Sequence, residues 1–180
     1  MTKQNFMHIV GISGSLRADS NNSKLIDLAQ RCSPAGMQFV IADQIDKLPH
    51  FNPDLNINDF DTLAQWVEMI RKSDGLVISS PEYARGYPGA LKNALDWLVQ
   101  TDAHVDKPFM MLNASNRSTV ARDSLIVVLK TMSGIHIEQA SITIPILGKS
   151  LNLDQLMDMN DIVDDIRGSL VKFSAGINLQ

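Results

Sequence analysis

Cysteine is all but missing. Cys32 stands alone, so no disulfide can close within the chain and no thiolate-rich metal site can assemble. It falls near the end of a helical pattern, beside Leu28 and Ala29, where a small packed side chain is expected rather than a reactive thiol. Long apolar runs are missing as well. None approaches the roughly 18 residues of a membrane span, and the run within MTKQNFMHIVGISGS is too short for a signal sequence and leads straight into a strand. There is no excess of positive charge either. The net charge is −4 and the pI about 5.4, which leaves no electrostatic footprint for nucleic acid or an anionic membrane. The expectation is a cytoplasmic protein with neither of those partners.

Several motifs are also absent. Neither G-x-G-x-x-G nor G-x-x-x-x-G-K-[ST] occurs, which removes the Rossmann dinucleotide fingerprint and the P-loop. No serine sits in a G-x-S-x-G elbow, so an α/β-hydrolase is not indicated. His8, His50, His104 and His136 lack metal-ligand spacing. Asp158, Asp161, Asp164 and Asp165 read as a solvated helix face.

What is present is an alternation of strand and helix along 180 residues, a length suited to one domain. Short apolar runs at Ile9–Ile12, Met37–Ala42, Gly75–Ser79, Pro108–Leu112 and Ile142–Ile146 read as strands. Helices are expected at Ser23–Arg31, Asp61–Lys72, Gly89–Val99, Thr119–Met132 and Asp154–Leu170. The second is the clearest, with Leu63, Trp66, Val67 and Ile70 at i, i+3, i+4 and i+7 and Asp59 or Asp61 as its cap. Five such pairs predict a doubly wound parallel sheet with helices on both faces. The irregular stretch Asp43–Asn58 is long for a connection and therefore suspect as functional.

Open α/β sheets bind ligands beyond the carboxyl ends of their strands, where strand order reverses. That rule selects three polar segments: Ser13–Asn22, Ser80–Pro88 and Asn113–Ser118. The first combines glycine, serines, asparagines and Arg17 ahead of a helix start, an arrangement suited to a phosphate group, although an ordinary turn with an N-cap explains it about as well. The second, P-E-Y-A-R-G-Y-P-G, holds the only two tyrosines, Tyr83 and Tyr87, and its backbone donors suit the edge of a flat heterocycle. Taken alone, it is more simply a Pro-Gly turn with a salt-bridged Glu82 and solvent-facing tyrosines.

Together these residues resemble the NADPH-dependent FMN reductase family, which includes quinone, chromate and azo-dye reductases. The resemblance lies in Gly14-Ser15-Leu16-Arg17 with Ser20 and Asn22, in Pro81-Glu82-Tyr83 followed by Pro88-Gly89, in Leu91-Lys92-Asn93-Ala94 and Asp96-Trp97, and in Leu48-Pro49 and Asn52-Pro53-Asp54. It covers about the first hundred residues. It implies a flavodoxin-like sheet of order 2-1-3-4-5 and two-electron transfer from NADPH or NADH, with NADPH favoured, through FMN to a small acceptor. Ser13, Ser15, Leu16, Arg17, Ser20 and Asn22 would hold the FMN phosphate side. Pro81, Glu82, Tyr83 and Ala84 would border the ring, Ser115 would lie on its other side, and Arg85 or Arg117 would meet the extra phosphate of NADPH, although a plain surface charge explains either arginine at least as well. Two positions depart from the family pattern: Ala84, where many relatives carry asparagine, and the loop Asn113–Ser118, which is often glycine-rich. An FMN-binding electron carrier and a non-catalytic scaffold remain alternatives. The resemblance also implies a homodimer or homotetramer, with Trp97 expected outside the buried stripe of its helix, in an exposed patch with Tyr87, Leu48, Phe51 and Leu55.

Overall fold

The computed structural model describes residues 6–117 and 119–180; Met1–Asn5 and Ser118, the last residue of the third candidate segment, lie outside it. Strand β1 (Met7–Ser13) leads to helix α1 (Asn21–Arg31) and β2 (Met37–Ala42). Then come α2 (Asp61–Lys72), β3 (Gly75–Ser79), α3 (Gly89–Val99), β4 (Pro108–Asn113) and α4 (Thr119–Thr131). The sheet is parallel throughout, in the order β2-β1-β3-β4 followed by an edge position. This is the flavodoxin-like arrangement that the alternating pattern and the resemblance implied. Its central strands read GLVIS and PFMMLN and are buried at every position, because helices cover both faces. Leu25, Ile26 and Leu28 of α1 share one core with the C-terminal helices, while Leu63, Trp66, Leu91, Leu95 and Leu125 form the other with α2, α3 and α4.

The sheet edge departs from the single strand expected at Ile142–Ile146. Two short strands fill that position, β5 (Ile135–His136) beside the start of β4 and β6 (Ile142–Thr143) beside its end. A helical turn at Glu138–Ala140 interrupts the ladder, and the Ser141 hydroxyl accepts from the Met111 amide, 3.0 Å away, where a continuous strand would have offered a carbonyl. Beyond Thr143, Pro145 has no N–H with which to continue. The last helix is likewise divided, into α5 (Leu153–Met157) and α6 (Asn160–Ile177). A reciprocal Asn152–Gln155 capping box opens α5. Helix α2 starts without a side-chain cap: Phe60 holds the cap position, so neither Asp59 nor Asp61 serves there.

Trp97 is the largest correction. It is fully buried, Leu48 is buried with it, and Phe51 and Tyr87 are half-buried, so of the expected exposed patch only Leu55 is exposed. Helix α3 has two buried sides, one against the sheet and one against the long loop after β2. Trp97 Nε1 donates to the Pro49 carbonyl at 2.7 Å, and Asn93 Nδ2 donates to the same oxygen at 2.9 Å. Asn93 Oδ1 accepts from Phe51 N at 2.7 Å, and the Phe51 ring meets Trp97 edge-on at 5.2 Å. Gln100 adds a bond to the Pro53 carbonyl. Positions 93, 97 and 100 repeat on one helix face, so the Asn93–Trp97 motif clamps the loop.

The loop after β3 turns through a tight hairpin. Tyr83 and Gly86 exchange both backbone hydrogen bonds, at 2.8 and 2.9 Å. The two residues between them, Ala84 and Arg85, have φ of 50° and 63°, the type I′ geometry that normally selects Asn-Gly. Asparagine at Ala84 would therefore ease a left-handed backbone, a steric reason for it in place of a side-chain contact.

Two stability outcomes follow from these contacts. Trp97→Phe should cost about 1–3 kcal/mol by removing a buried donor, and Trp97→Ala about 3–5 kcal/mol, both read from urea unfolding. Ala84→Gly and Ala84→Asn should instead stabilise by about 0.5–1 kcal/mol, because the exposed alanine there is held in a left-handed conformation. A loss on both Ala84 substitutions would refute the strained hairpin.

Candidate functional site

The site begins where β1 and β3 end side by side. Gly14 N donates to the Ser79 carbonyl at 2.8 Å. A Cβ on Gly14 would stand 2.6 Å from Ser80 Oγ and 3.0 Å from Leu91 Cδ2, so only glycine lets the two loops approach this closely. The serines then fold the first loop through short-range bonds. Ser13 Oγ accepts from Ser15 N, and Ser15 Oγ accepts from Arg17 N. Ser20 is the N-cap of α1, its hydroxyl accepting from Asn22 N and Ser23 N. The positive end of an eleven-residue helix thus opens beside Arg17. The Ser79 hydroxyl donates to Asn22 Oδ1 at 3.0 Å within the buried floor, which leaves the NH₂ as the donor end of the Asn22 amide.

The second and third loops are tied together from behind. Glu82 Oε2 accepts from Ala121 N at 3.0 Å, so a carboxylate from the β3 loop satisfies an otherwise unpartnered amide in the first turn of α4 and sits at the positive end of that helix. The sequence suggested a salt bridge for Glu82; the partner is a backbone amide. In the loop after β4, Ser115 Oγ accepts from Arg117 N, and the Asn113 side-chain amide donates to the Ser115 carbonyl. Hydroxyls and an amide thus do the work of the expected glycines.

These loops enclose a cleft of about 410 Å³, within the usual range for small-ligand pockets. Ser15, Arg17, Ser20 and Asn22 line one end, and Pro81, Glu82, Tyr83 and Ser115 the other. Ser13 and Leu16 lie on a second crevice, between β1 and β2, which Ser15 and Arg17 also line. Ala84 and Arg85 occupy the exposed hairpin tip and do not line the cleft. A further wall, Leu147–Ser150, went unnoticed in the sequence. Gly148 (φ 83°) makes a turn there, closed by Lys149 N donating to the Ile146 carbonyl, and Asn21 Nδ2 donates to that same carbonyl. Its signal was available: L-G-K-S is a polar turn following the last apolar run, and the rule that selected the other three loops applies equally to it.

The charge of the cleft is mainly positive at the α1 end. Arg17, Lys24 and Lys149 face it. Lys24 pairs with Asp19 at 2.5 Å and holds that exposed carboxyl below its ordinary value, whereas Arg17 and Lys149 have no carboxylate within 4.0 Å among the described residues. Two unpaired cations, hydroxyls and a helix start suit a phosphate dianion. Cys32 plays no part: it is buried at the end of α1, and burial pushes its thiol upward.

Residues 7–146 match the family model described as NADPH-dependent FMN reductase. An NAD(P)H-dependent FMN reductase of Pseudomonas aeruginosa is 37% identical over 110 residues, 59% of this chain and 59% of that protein. The quinone reductase of Escherichia coli K12 is 35% identical over 94 residues, 51% of this chain and 50% of its own length. The alignments thus span about half to three-fifths of these curated relatives. Among solved structures, the flavoenzyme NAD(P)H:(acceptor) oxidoreductase FerB of Paracoccus denitrificans superposes with a TM-score of 0.79 over 94% of this chain and 98% of its own, at 23% identity, a likeness of fold. An apo NADH:FMN oxidoreductase gives 0.63 at 26% identity, covering 91% and 90%. With more than three-quarters of its length inside the family model, the chain belongs to the NADPH-dependent FMN reductase family.

Proposed function

We propose that the chain is a single-domain FMN-dependent NAD(P)H oxidoreductase that passes two electrons to a small acceptor. The observation that carries the reading is the joining, in one cleft, of an anion-ready helix start with a loop of peptide edges and hydroxyls, in a member of this family. The donor set fits FMN in both halves. Arg17, the Ser15 hydroxyl and the α1 N-terminus would hold the phosphate. Pro81–Tyr83 and Asn113–Ser115 would border the ring. Bound FMN supplies a two-electron carrier, and the protein supplies placement and electrostatics. No side-chain acid or base is assigned, since hydride transfer into the flavin needs none. The Asn22 amide, held by Ser79, and the Glu82 loop, held by α4, keep the donors fixed, so binding spends little on reorganisation.

Quinones are the favoured acceptor class, because relatives include the Escherichia coli quinone reductase and a 2-hydroxy-1,4-benzoquinone reductase of a Burkholderia species. The reading includes a cytoplasmic location and a homodimer or homotetramer. With Trp97 buried, support for assembly moves to Leu16, Tyr83 and Leu147, which are 58%, 53% and 60% exposed on loops that line the two openings.

The purified protein should take up FMN in preference to FAD, and Arg17→Ala should weaken FMN binding by about 1–3 kcal/mol, measured by flavin fluorescence. An unchanged affinity would remove Arg17 from the site. Under anaerobic conditions NADPH or NADH should bleach the flavin absorption in stopped flow. Bleaching by dithionite but by neither nicotinamide would make the protein an electron carrier of the flavodoxin type.

A further inference from the structure

The Leu147–Ser150 turn brings to the cleft a charge that the first loop does not supply. It lies just beyond residues 7–146, the stretch that matches the family model, and backbone contacts fix its position. Ile146 N and Leu147 N donate to the Ala114 carbonyl at 3.2 and 3.1 Å, which ties the turn to the loop after β4. Lys149 N donates to the Ile146 carbonyl at 3.0 Å, and Asn21 Nδ2 reaches the same oxygen at 3.2 Å. The backbone of Lys149 and the first residue of α1 thus converge on one atom. Lys149 is exposed and lines the cleft, and from this anchor its long side chain can reach the helix start where Arg17 and Ser20 also stand.

A count of charges separates the groups at that end. Arg17, Asp19, Lys24 and Lys149 are the charged side chains there. Asp19 and Lys24 pair with each other, and Glu82, the other carboxylate of the cleft, is committed to the Ala121 amide. Arg17 and Lys149 are left without a carboxylate within 4.0 Å among the described residues. Two uncommitted cations beside the positive end of a helix repel one another until an anion offsets them. A phosphate monoester, with a charge close to about −2 at neutral pH, matches the pair; a diester phosphate carries half that charge, and riboflavin carries none.

We propose that Lys149 is the second cation of the phosphate site, reaching the phosphate from the Leu147–Ser150 turn while Arg17 reaches it from the first loop. The inference rests on the FMN reading above and deepens it. The loop before α1 alone would meet the phosphate with one uncommitted side-chain charge; the turn completes a pair fitted to a terminal phosphate dianion. Lys149 therefore sets the preference for FMN over riboflavin, and it acts on the phosphate rather than on the ring.

Fluorescence titration of the apoprotein with FMN and with riboflavin tests this without turnover. Lys149→Met should weaken FMN binding by about tenfold and leave riboflavin binding within about twofold of wild type, the pattern of a lost charge-assisted contact. Lys149→Arg, which keeps the charge, should hold FMN within about threefold of wild type. Added salt should weaken FMN binding to the wild type more than to Lys149→Met, and the urea midpoint of the apoprotein should be the same in all three. Equal losses for FMN and riboflavin, an arginine variant as weak as the methionine one, or a salt response untouched by the substitution would overturn the proposal. Riboflavin keeps the two readings apart. If the wild type binds FMN and Lys149→Met keeps the wild-type ratio of FMN to riboflavin affinity, the FMN reading stands and the Lys149 assignment falls; if the wild type takes up neither flavin, both fall.

Discussion

The site depends on one close approach, Gly14 against Ser79 and Ser80. Strands β1 and β3 are neighbours, yet their connections leave toward opposite faces of the sheet, α1 to one core and α3 to the other. That divergence opens a gap between the first turns of the two loops, where a ligand can enter. A side chain at Gly14 would push the loops apart; without one, the backbone bond to Ser79 forms and Ser79 Oγ can reach Asn22. The two ends of the cleft, Ser15–Asn22 and Pro81–Tyr83, are thereby set by a single contact.

Groups outside the cleft fix the surfaces within it. Glu82 anchors one loop to α4, Asn21 anchors the Leu147–Ser150 turn to α1, and Asn93 with Trp97 holds the loop after β2 against α3. Loops carry much of a protein's function and are also its most mobile parts. Here their carbonyls and amides are tied to helix positions, so irregular backbone presents donors in fixed directions. The strained Ala84–Arg85 tip fits this pattern, because the hairpin bonds on either side of it hold both residues left-handed.

The sheet was legible because both its faces are covered. Continuous apolar runs such as GLVIS and PFMML stand out where alternation would have been ambiguous. The three polar loops could be placed from the same strands, and eight of the twelve candidate residues (Ser15, Arg17, Ser20, Asn22, Pro81, Glu82, Tyr83 and Ser115) line one cleft. Trp97 was misread because a stripe argument grants a helix one buried side, whereas α3 has two. The edge strand was read in part: Ile142–Thr143 does pair with β4, but Pro145 cuts it short, and the Glu138–Ala140 turn separates it from Ile135–His136, which the sequence reading did not place on the sheet. A turn was legible in the prolines and glycines of this segment, but its left-handed tip was not, since Ala-Arg carries no signal for that geometry.

The bond from Ala121 N to Glu82 joins the timing of two elements. A first-turn amide has no carbonyl of its own helix to hold it, so Ala121 is protected by the loop after β3 rather than by α4. Its proton exchanges with solvent on the schedule of that loop's opening, and the amides past the first turn of α4, bonded within the helix, exchange on the schedule of the helix itself. Whatever settles against Pro81–Tyr83 and quiets the loop will therefore slow the exchange of one amide in a helix that it never touches.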